Sequence, residues 1–236
     1  YDFGLCGGLA VAGIETTLYT CEKTAVDQAG RFIVTHSFHG VFGQAPGWLR
    51  GLRFVRGAVS STWSGMRRGE RVFHFHFFHV GVLQFFQVLL ARLARRYVVC
   101  TVHDVEAFSK NLTQAWWEEY TYRLVHQFIT HNEVSRNELR ERRGVNARNV
   151  HVIPHGNYVG AVHRSDGVEA RRRLGIEAGS KVVLFFGQIK DVKGLDVLID
   201  AFSEIRREEP QARLVIAGKV WKSDFGKYEA QIERLG

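Results

Sequence analysis

The sequence is sparing in several residue types, and each shortage excludes a class of protein. Its three cysteines, Cys6, Cys21 and Cys100, are an odd number without a close pair. Neither a disulfide framework nor a thiolate zinc site is written in that spacing, and a reducing compartment is the expected setting. Prolines number only three, and no low-complexity tract or internal repeat is present, so a collagen-like or disordered chain is excluded. Charge-free runs are scarce too. Residues 72–91 hold no Asp, Glu, Lys or Arg and are long enough to span a bilayer. His74, His76, His79, Gln84 and Gln87 would be costly in lipid, however, and Gly81 divides the run into two segments of different period, so a spanning helix is not expected. No basic start, apolar stretch and small-residue cleavage site follow Tyr1, so no secretory leader is read there, and a trimmed chain or partial record is expected.

What is present is globular. Hydrophobic residues make up 45% and charged residues 24% of 236 residues, enough for a real core. At roughly 100 to 200 residues per domain this is about one and a half domains. Lys plus Arg exceeds Asp plus Glu by 32 − 24 = +8, before counting 11 histidines. A phosphate-bearing or acidic-surface partner is implied.

Strands and helices alternate. Residues 72–77 read V-F-H-F-H-F, a period of two with phenylalanines on one face and His74 and His76 on the other. After Gly81 an apolar period of three to four marks a helix, and residues 97–102 form a β-branched strand ending at His103-Asp104. Strand, helix, strand is a crossover unit, which implies parallel strands. Helices are expected at 48–68, 114–126 and 133–143, the last stopped by Gly144, with strands at 128–130 and 150–153. A glycine-rich stretch after Pro154 marks a boundary, giving domains 1–160 and 161–236. The pattern then restarts: strand 181–186, a loop at 187–194, a helix from Leu195 ended by Pro210, strand 213–217, and a helix capped by Asp224. Near the start, Gly7, Gly8 and Gly13 are expected to precede a helix running from Ile14 to about Val26.

In such folds ligands gather at the carboxyl ends of strands, where loops enter helix N-termini. Four places qualify. The turn at Gly13 and Glu15 lets a sugar or phosphate approach the backbone, or is simply a flexible loop. His103 can hydrogen-bond a sugar hydroxyl, and Asp104 can take a proton from an acceptor alcohol. The cluster His74, His76 and His79 fits a polar cleft edge better than a metal site, because only the first two share a strand face and no Cys or acid accompanies them; no metal is expected. His131 and His155 are weaker cleft candidates or simply satisfy a loop carbonyl. In the 187–194 loop, Lys190 and Lys193 oppose the helix dipole, an unfavourable term of roughly 0.3 to 1 kcal/mol each unless an anion sits there. That loop lacks the Ser or Thr of a P-loop, and a diphosphate is its natural occupant.

Together these residues resemble a nucleotide-sugar glycosyltransferase of the GT-B fold, in the large group called family 4. The resemblance is carried by the turn at 12–15, the H-F-H strand, T-V-H-D at 101–104, V-I-P-H-G at 152–156, F-F-G-Q-I-K-D-V-K-G at 185–194 and L-V-I-A-G-K at 214–219. It implies an α/β chain with two Rossmann-like domains and parallel sheets, an acceptor-side domain followed by the first part of a donor-side domain, incomplete after its second strand. Gly187, Lys190, Lys193, Gly218 and Lys219 would hold the donor diphosphate, and His103 would touch the transferred sugar. The usual first-loop glycine pair is Ala12-Gly13 here, the usual basic residue after the strand glycine is Gln188, and the acidic E-x7-E segment would lie beyond Gly236.

The same resemblance implies no cofactor. GDP-mannose is the donor suggested by similarity to bacterial exopolysaccharide transferases, with a lipid-linked or saccharide acceptor. The expected location is cytoplasmic, peripheral at the inner face of the cell membrane on an anionic surface. Inversion would make Asp104 a general base, whereas retention needs none there. Two alternatives compete: a basic nucleic-acid-binding protein, opposed by the lack of any recognised module, and a GT-B sugar-nucleotide epimerase.

Overall fold

The computed structural model describes residues 2–24, 30–77, 80–103, 112–157, 166–221 and 224–235, without the side chains of 112–115. The chain divides into two compact units, Tyr1–Ala161 and Val162–Gly236. The boundary expected at 160/161 lies outside the described residues.

The first unit runs α1 (Asp2–Val11), β1 (Thr17–Thr20), β2 (Ile33–His36), α2 (Gly47–Arg67), β3 (Val72–Phe77), α3 (Val82–Leu93), β4 (Tyr97–Val102), α4 (Leu112–Leu124), β5 (Gln127–Thr130), α5 (Glu133–Arg143) and β6 (Val150–Val152). β1 and β2 pair in parallel, and β3, β4, β5 and β6 form a parallel sheet in that order. The alternation of β3 is realised in three dimensions. Phe75 and Phe77 stack at 5.7 Å on the core side, over Val88 of α3, Val98 and Cys100 of β4, Phe128 of β5 and Leu139 of α5. Residues 72–91 are thus a strand and a helix; among the described residues no helix is long and apolar enough to cross a membrane. α5 starts where Asn132 accepts the Ser135 N–H at 2.8 Å and stops at left-handed Gly144 (φ 62°).

The first twenty-odd residues differ from expectation. Gly7 and Gly8 lie inside α1, Gly13 (φ 79°) ends it, and the helix expected from Ile14 is instead the strand β1. Two interior glycines would cost a helix about 1 kcal/mol each. Gly7 is held because a Cβ there would stand 3.3 Å from the Arg31 guanidinium, and Phe3 meets Phe32 edge-on at 5.3 Å. The Thr-rich segment after Glu15 goes to strand because Ile33–His36 offers it a partner, and pairing outweighs local helical spacing.

The second unit runs α6 (Gly167–Arg173), β7 (Val182–Phe186), α7 (Leu195–Glu208), β8 (Arg213–Ala217) and α8 (Gly226–Leu235). β7 and β8 pair in parallel over Leu195, Ile199 and Tyr228. Asp224 accepts the Gly226 N–H at 3.0 Å, which caps the start of α8. Leu184 and Phe186, 59% and 84% exposed, project from β7 on the face away from Phe185. Parallel sheets ordinarily bury both faces, so this one is covered on one side only.

The ends of β7 and β8 press together: a Cβ on Gly218 would lie 1.7 Å from the Gly187 carbonyl oxygen. Gly218→Ala is expected to lower the stability of the second unit by about 3 kcal/mol, read as a shift in the urea midpoint. Gly179→Ala, in the same unit and where a Cβ meets nothing within 4 Å, should leave it unchanged.

Candidate functional site

Parallel strands share one direction, so their carboxyl ends lie along one edge of the sheet. In the first unit that edge is lined with histidines from three successive strands and the segment after β6. His74 and His76 stand on β3, His103 follows β4, His131 follows β5 and His155 follows β6. Ring centroids are 5.6 Å apart for His76–His103, 5.0 Å for His103–His131 and 5.1 Å for His131–His155. These steps match the spacing of roughly 4.8 Å between neighbouring strands.

The contacts have a direction. His131 Nδ1 donates to the Ile153 carbonyl at 3.0 Å, because a carbonyl can only accept. In a neutral ring that leaves His131 Nε2 to accept from His103 Nδ1 at 3.3 Å, and His103 Nε2 to accept from His76 Nδ1 at 3.4 Å. His76 Nδ1 also lies 3.5 Å from Asp2 Oδ1, and His74 Nε2 meets the buried Thr101 hydroxyl at 2.8 Å. Among the described residues no group of metal-ligating side chains is arranged to hold an ion. Burial, and then the charge of neighbouring histidines, pushes His74 and His76 down to about 4. Both are neutral near pH 7 and present hydrogen-bonding nitrogens without charge.

Asp104 and His79 lie outside the described residues. Gly13 and Glu15 are not brought to the histidine edge. Asp2, at the start of α1, reaches His76, while Gly13 follows the last turn of α1, about 15 Å along the helix axis. That turn leads into the amino end of β1, not out of a strand's carboxyl end. His131 joins the histidine edge as firmly as His103. Its signal was the same: a histidine directly after a short apolar strand.

In the second unit the called residues do converge. Gly187 (φ 137°) occupies a conformation that side-chain-bearing residues rarely adopt, and turns the chain out of β7. Ile189 then bridges Val220, donating to the Lys219 carbonyl at 3.0 Å and accepting from Trp221 N–H at 3.1 Å. Lys190 Nζ sits 5.2 Å over the Trp221 ring, a cation–π partner that the sequence pattern did not reveal. A 3-10 turn, Asp191–Lys193, is held to α8 by Lys227 at 2.5 Å and the Tyr228 hydroxyl at 3.4 Å from Asp191 Oδ1. The bond from Lys227 holds the Asp191 carboxyl below its usual range. Left-handed Gly194 opens α7 without a side-chain cap, and Asp196 lies in its first turn. The ammonium groups of Lys193 and Lys219 have no partner among the described residues.

The family follows from this architecture and one comparison. A model described as Glycosyltransferase Family 4 matches residues 3–157. The chain belongs to glycosyltransferase family 4. A second model, Glycosyl transferases group 1, matches residues 168–236. Among curated relatives, a D-inositol 3-phosphate glycosyltransferase of Segniliparus rotundus is 30% identical over 152 residues, 59% of this chain and 34% of that protein. One of the same description from Streptomyces bingchenggensis is 27% identical over 263 residues, covering 100% of this chain and 55% of that protein. The chain spans about half the length of the curated relatives that match it end to end. The crystal structure of Anabaena HepE in complex with UDP and glucose shares its fold, with a TM-score of 0.68, 18% identity and coverage of 100% of this chain and 62% of that one. The family 4 chain thus has the GT-B fold, two Rossmann-like units with parallel sheets, the second short.

Depressed histidines make stability pH-dependent. A ring whose folded pKa lies below its unfolded value of about 6.5 favours the folded state above that pH, and the advantage is lost as pH falls toward 4. Urea unfolding between pH 7 and pH 4 should show a loss on the order of 3 kcal/mol per ring at the acid end. His74→Gln should flatten the dependence.

Proposed function

We propose that this family 4 member serves hexosyl transfer from a nucleotide-diphosphate sugar to a lipid-linked or saccharide acceptor. The observation that carries the proposal is the second unit's loop: Lys193 and Lys219 without protein partners beside the uncapped start of α7, at the carboxyl ends of two parallel strands. That arrangement provides positive charge and backbone N–H groups for a diphosphate leaving group, whose developing charge is what such a transfer must stabilise. Lys190, steadied on Trp221, supplies the charge that Gln188 does not. His103, held between His76 and His131 by contacts of 3.4 and 3.3 Å, offers a sugar hydroxyl a ring nitrogen in exchange for one of those long contacts.

The membrane-face setting is supported by α2. Trp48, Leu52, Val59, Trp63 and Met66 are all exposed, and at 100° per residue they fall within about 60° of one another. Arg56 and Arg67 border that stripe, Arg53 donates to the Gly40 carbonyl at 3.0 Å, and Gly57, Ala58 and Ser61 pack inward. An exposed apolar stripe edged with arginine and carrying tryptophans suits an anionic bilayer surface. The role that follows is polysaccharide assembly at the inner face of a bacterial membrane, with GDP-mannose and UDP-glucose as the first donors to try.

In the intact protein, Lys193→Ala should lower kcat/KM for hexosyl transfer by about a hundredfold or more. Circular dichroism and the melting midpoint should not move. Undiminished turnover by that variant would sink the assignment of the loop. A hexose released or epimerised equally well without acceptor would favour the epimerase. For the membrane face, Trp48→Ala/Trp63→Ala should reduce co-sedimentation with phosphatidylglycerol vesicles at least fivefold, judged against the unaltered chain.

A further inference from the structure

At the other edge of the same sheet, the amino-terminal one, charge is concentrated in a way that glycosyl transfer leaves unused. A cavity of about 600 Å³ is lined by Arg71, Arg92, Arg95, Arg96, Tyr97 and His126. Arg71 precedes β3, Arg95 and Arg96 precede β4, and His126 precedes β5. No Asp or Glu lines the hollow, and none of the four arginines makes an ion pair among the described residues. The Nε of Arg96 is buried without a hydrogen-bond partner.

The backbone is bent to put these groups there. α3 ends in a Schellman turn, with Arg96 N–H on the Ala91 carbonyl and Arg95 N–H on the Arg92 carbonyl, both at 2.9 Å. The left-handed position of that turn normally goes to glycine, yet here it holds Arg95 (φ 56°), unlike any other non-glycine residue described. A side chain in that conformation is disfavoured, and such outliers gather where a site needs a group in a set place. The floor is ordered as well. His126 stacks on Tyr97 at 4.3 Å and accepts the Val98 N–H at Nδ1 at 2.9 Å, while Arg92 abuts its ring. Burial, and then the Arg92 charge, pushes the His126 imidazole below its usual range, and the standing positive charge of the hollow is that of its guanidinium groups. The four arginines line one hollow with no carboxylate to offset their charge, so an anion bound there would relieve their repulsion. Their planar forks match phosphate oxygens.

We propose that this arginine-lined hollow binds a phosphate-bearing anion, at a site separate from the lysine loop of the second unit. The volume admits a phosphate ester of sugar or nucleoside size, and equally the headgroup of an anionic phospholipid.

Inorganic pyrophosphate is the probe, titrated calorimetrically into the chain carrying Lys190→Ala/Lys193→Ala/Lys219→Ala, so that the second unit's own affinity for diphosphate does not intrude. Saturable binding is expected, and adding Arg95→Gln/Arg96→Gln should raise its Kd at least tenfold with the melting midpoint in phosphate-free buffer unchanged. Arg71→Gln, which approaches from β3 and leaves the Schellman turn alone, should weaken binding in the same direction. Absence of saturable binding, or binding indifferent to all three arginine replacements, would overturn the proposal. Vesicles distinguish the source of the phosphate. If the anion is a headgroup, Arg95→Gln/Arg96→Gln also weakens sedimentation with phosphatidylglycerol vesicles relative to phosphatidylcholine. If it is a soluble ester, vesicle binding is unchanged while pyrophosphate binding is lost.

Discussion

The parallel register of β3 to β6 is the constraint on which the first unit depends. His76 pairs with Thr101, Thr101 with Ile129 and Ile129 with His151, so four strands end nearly level and the chain leaves each at the same edge. Residues far apart in sequence are thereby set one strand spacing apart. The carboxyl edge receives histidines, the amino edge arginines. Both clusters are consequences of strand direction more than of any local motif.

The two edges differ in how they treat charge. Burial and mutual proximity hold His74 and His76 neutral, and the Ile153 carbonyl gives the chain of imidazoles one hydrogen-bond direction. The edge thus carries uncharged ring nitrogens at His74 and His76 near pH 7. The arginines cannot shed their protons, so they remain cationic whatever their neighbours. In the second unit the problem is solved with lysines and a helix start: Gly187 and Gly218 bring two strand ends into contact, and the loop between β7 and α7 carries its ammonium groups beside exposed N–H groups.

Much of this was legible residue by residue. Period-two and period-three-to-four patterns located β3, α3, β4, α5, β7, α7 and β8 within a residue or two, because in each the apolar face is the one that packs. The positions of Gly187, Lys190, Lys193, Gly218 and Lys219 just beyond strands were legible for a related reason: they sit in loops whose flanking strands and helix are unambiguous. The start of the chain was misread, because glycine pairs read equally as a loop or as close helix packing. Only the contact of Gly7 with Arg31 and the pairing of β1 with β2 decide between them.

The sequence by itself determined an α/β chain of alternating strands and helices, the strand-end positions of its histidines and lysines, and an excess of positive charge, since these depend on periodicity and counting. Tertiary structure alone decided which of them meet. It put His131 beside His103, Lys190 over Trp221 and Arg71 beside Arg96, and it sent Gly13 and Glu15 to the far end of α1. Strand order and helix direction act across 25 or more residues, and no local pattern encodes a distance of that kind.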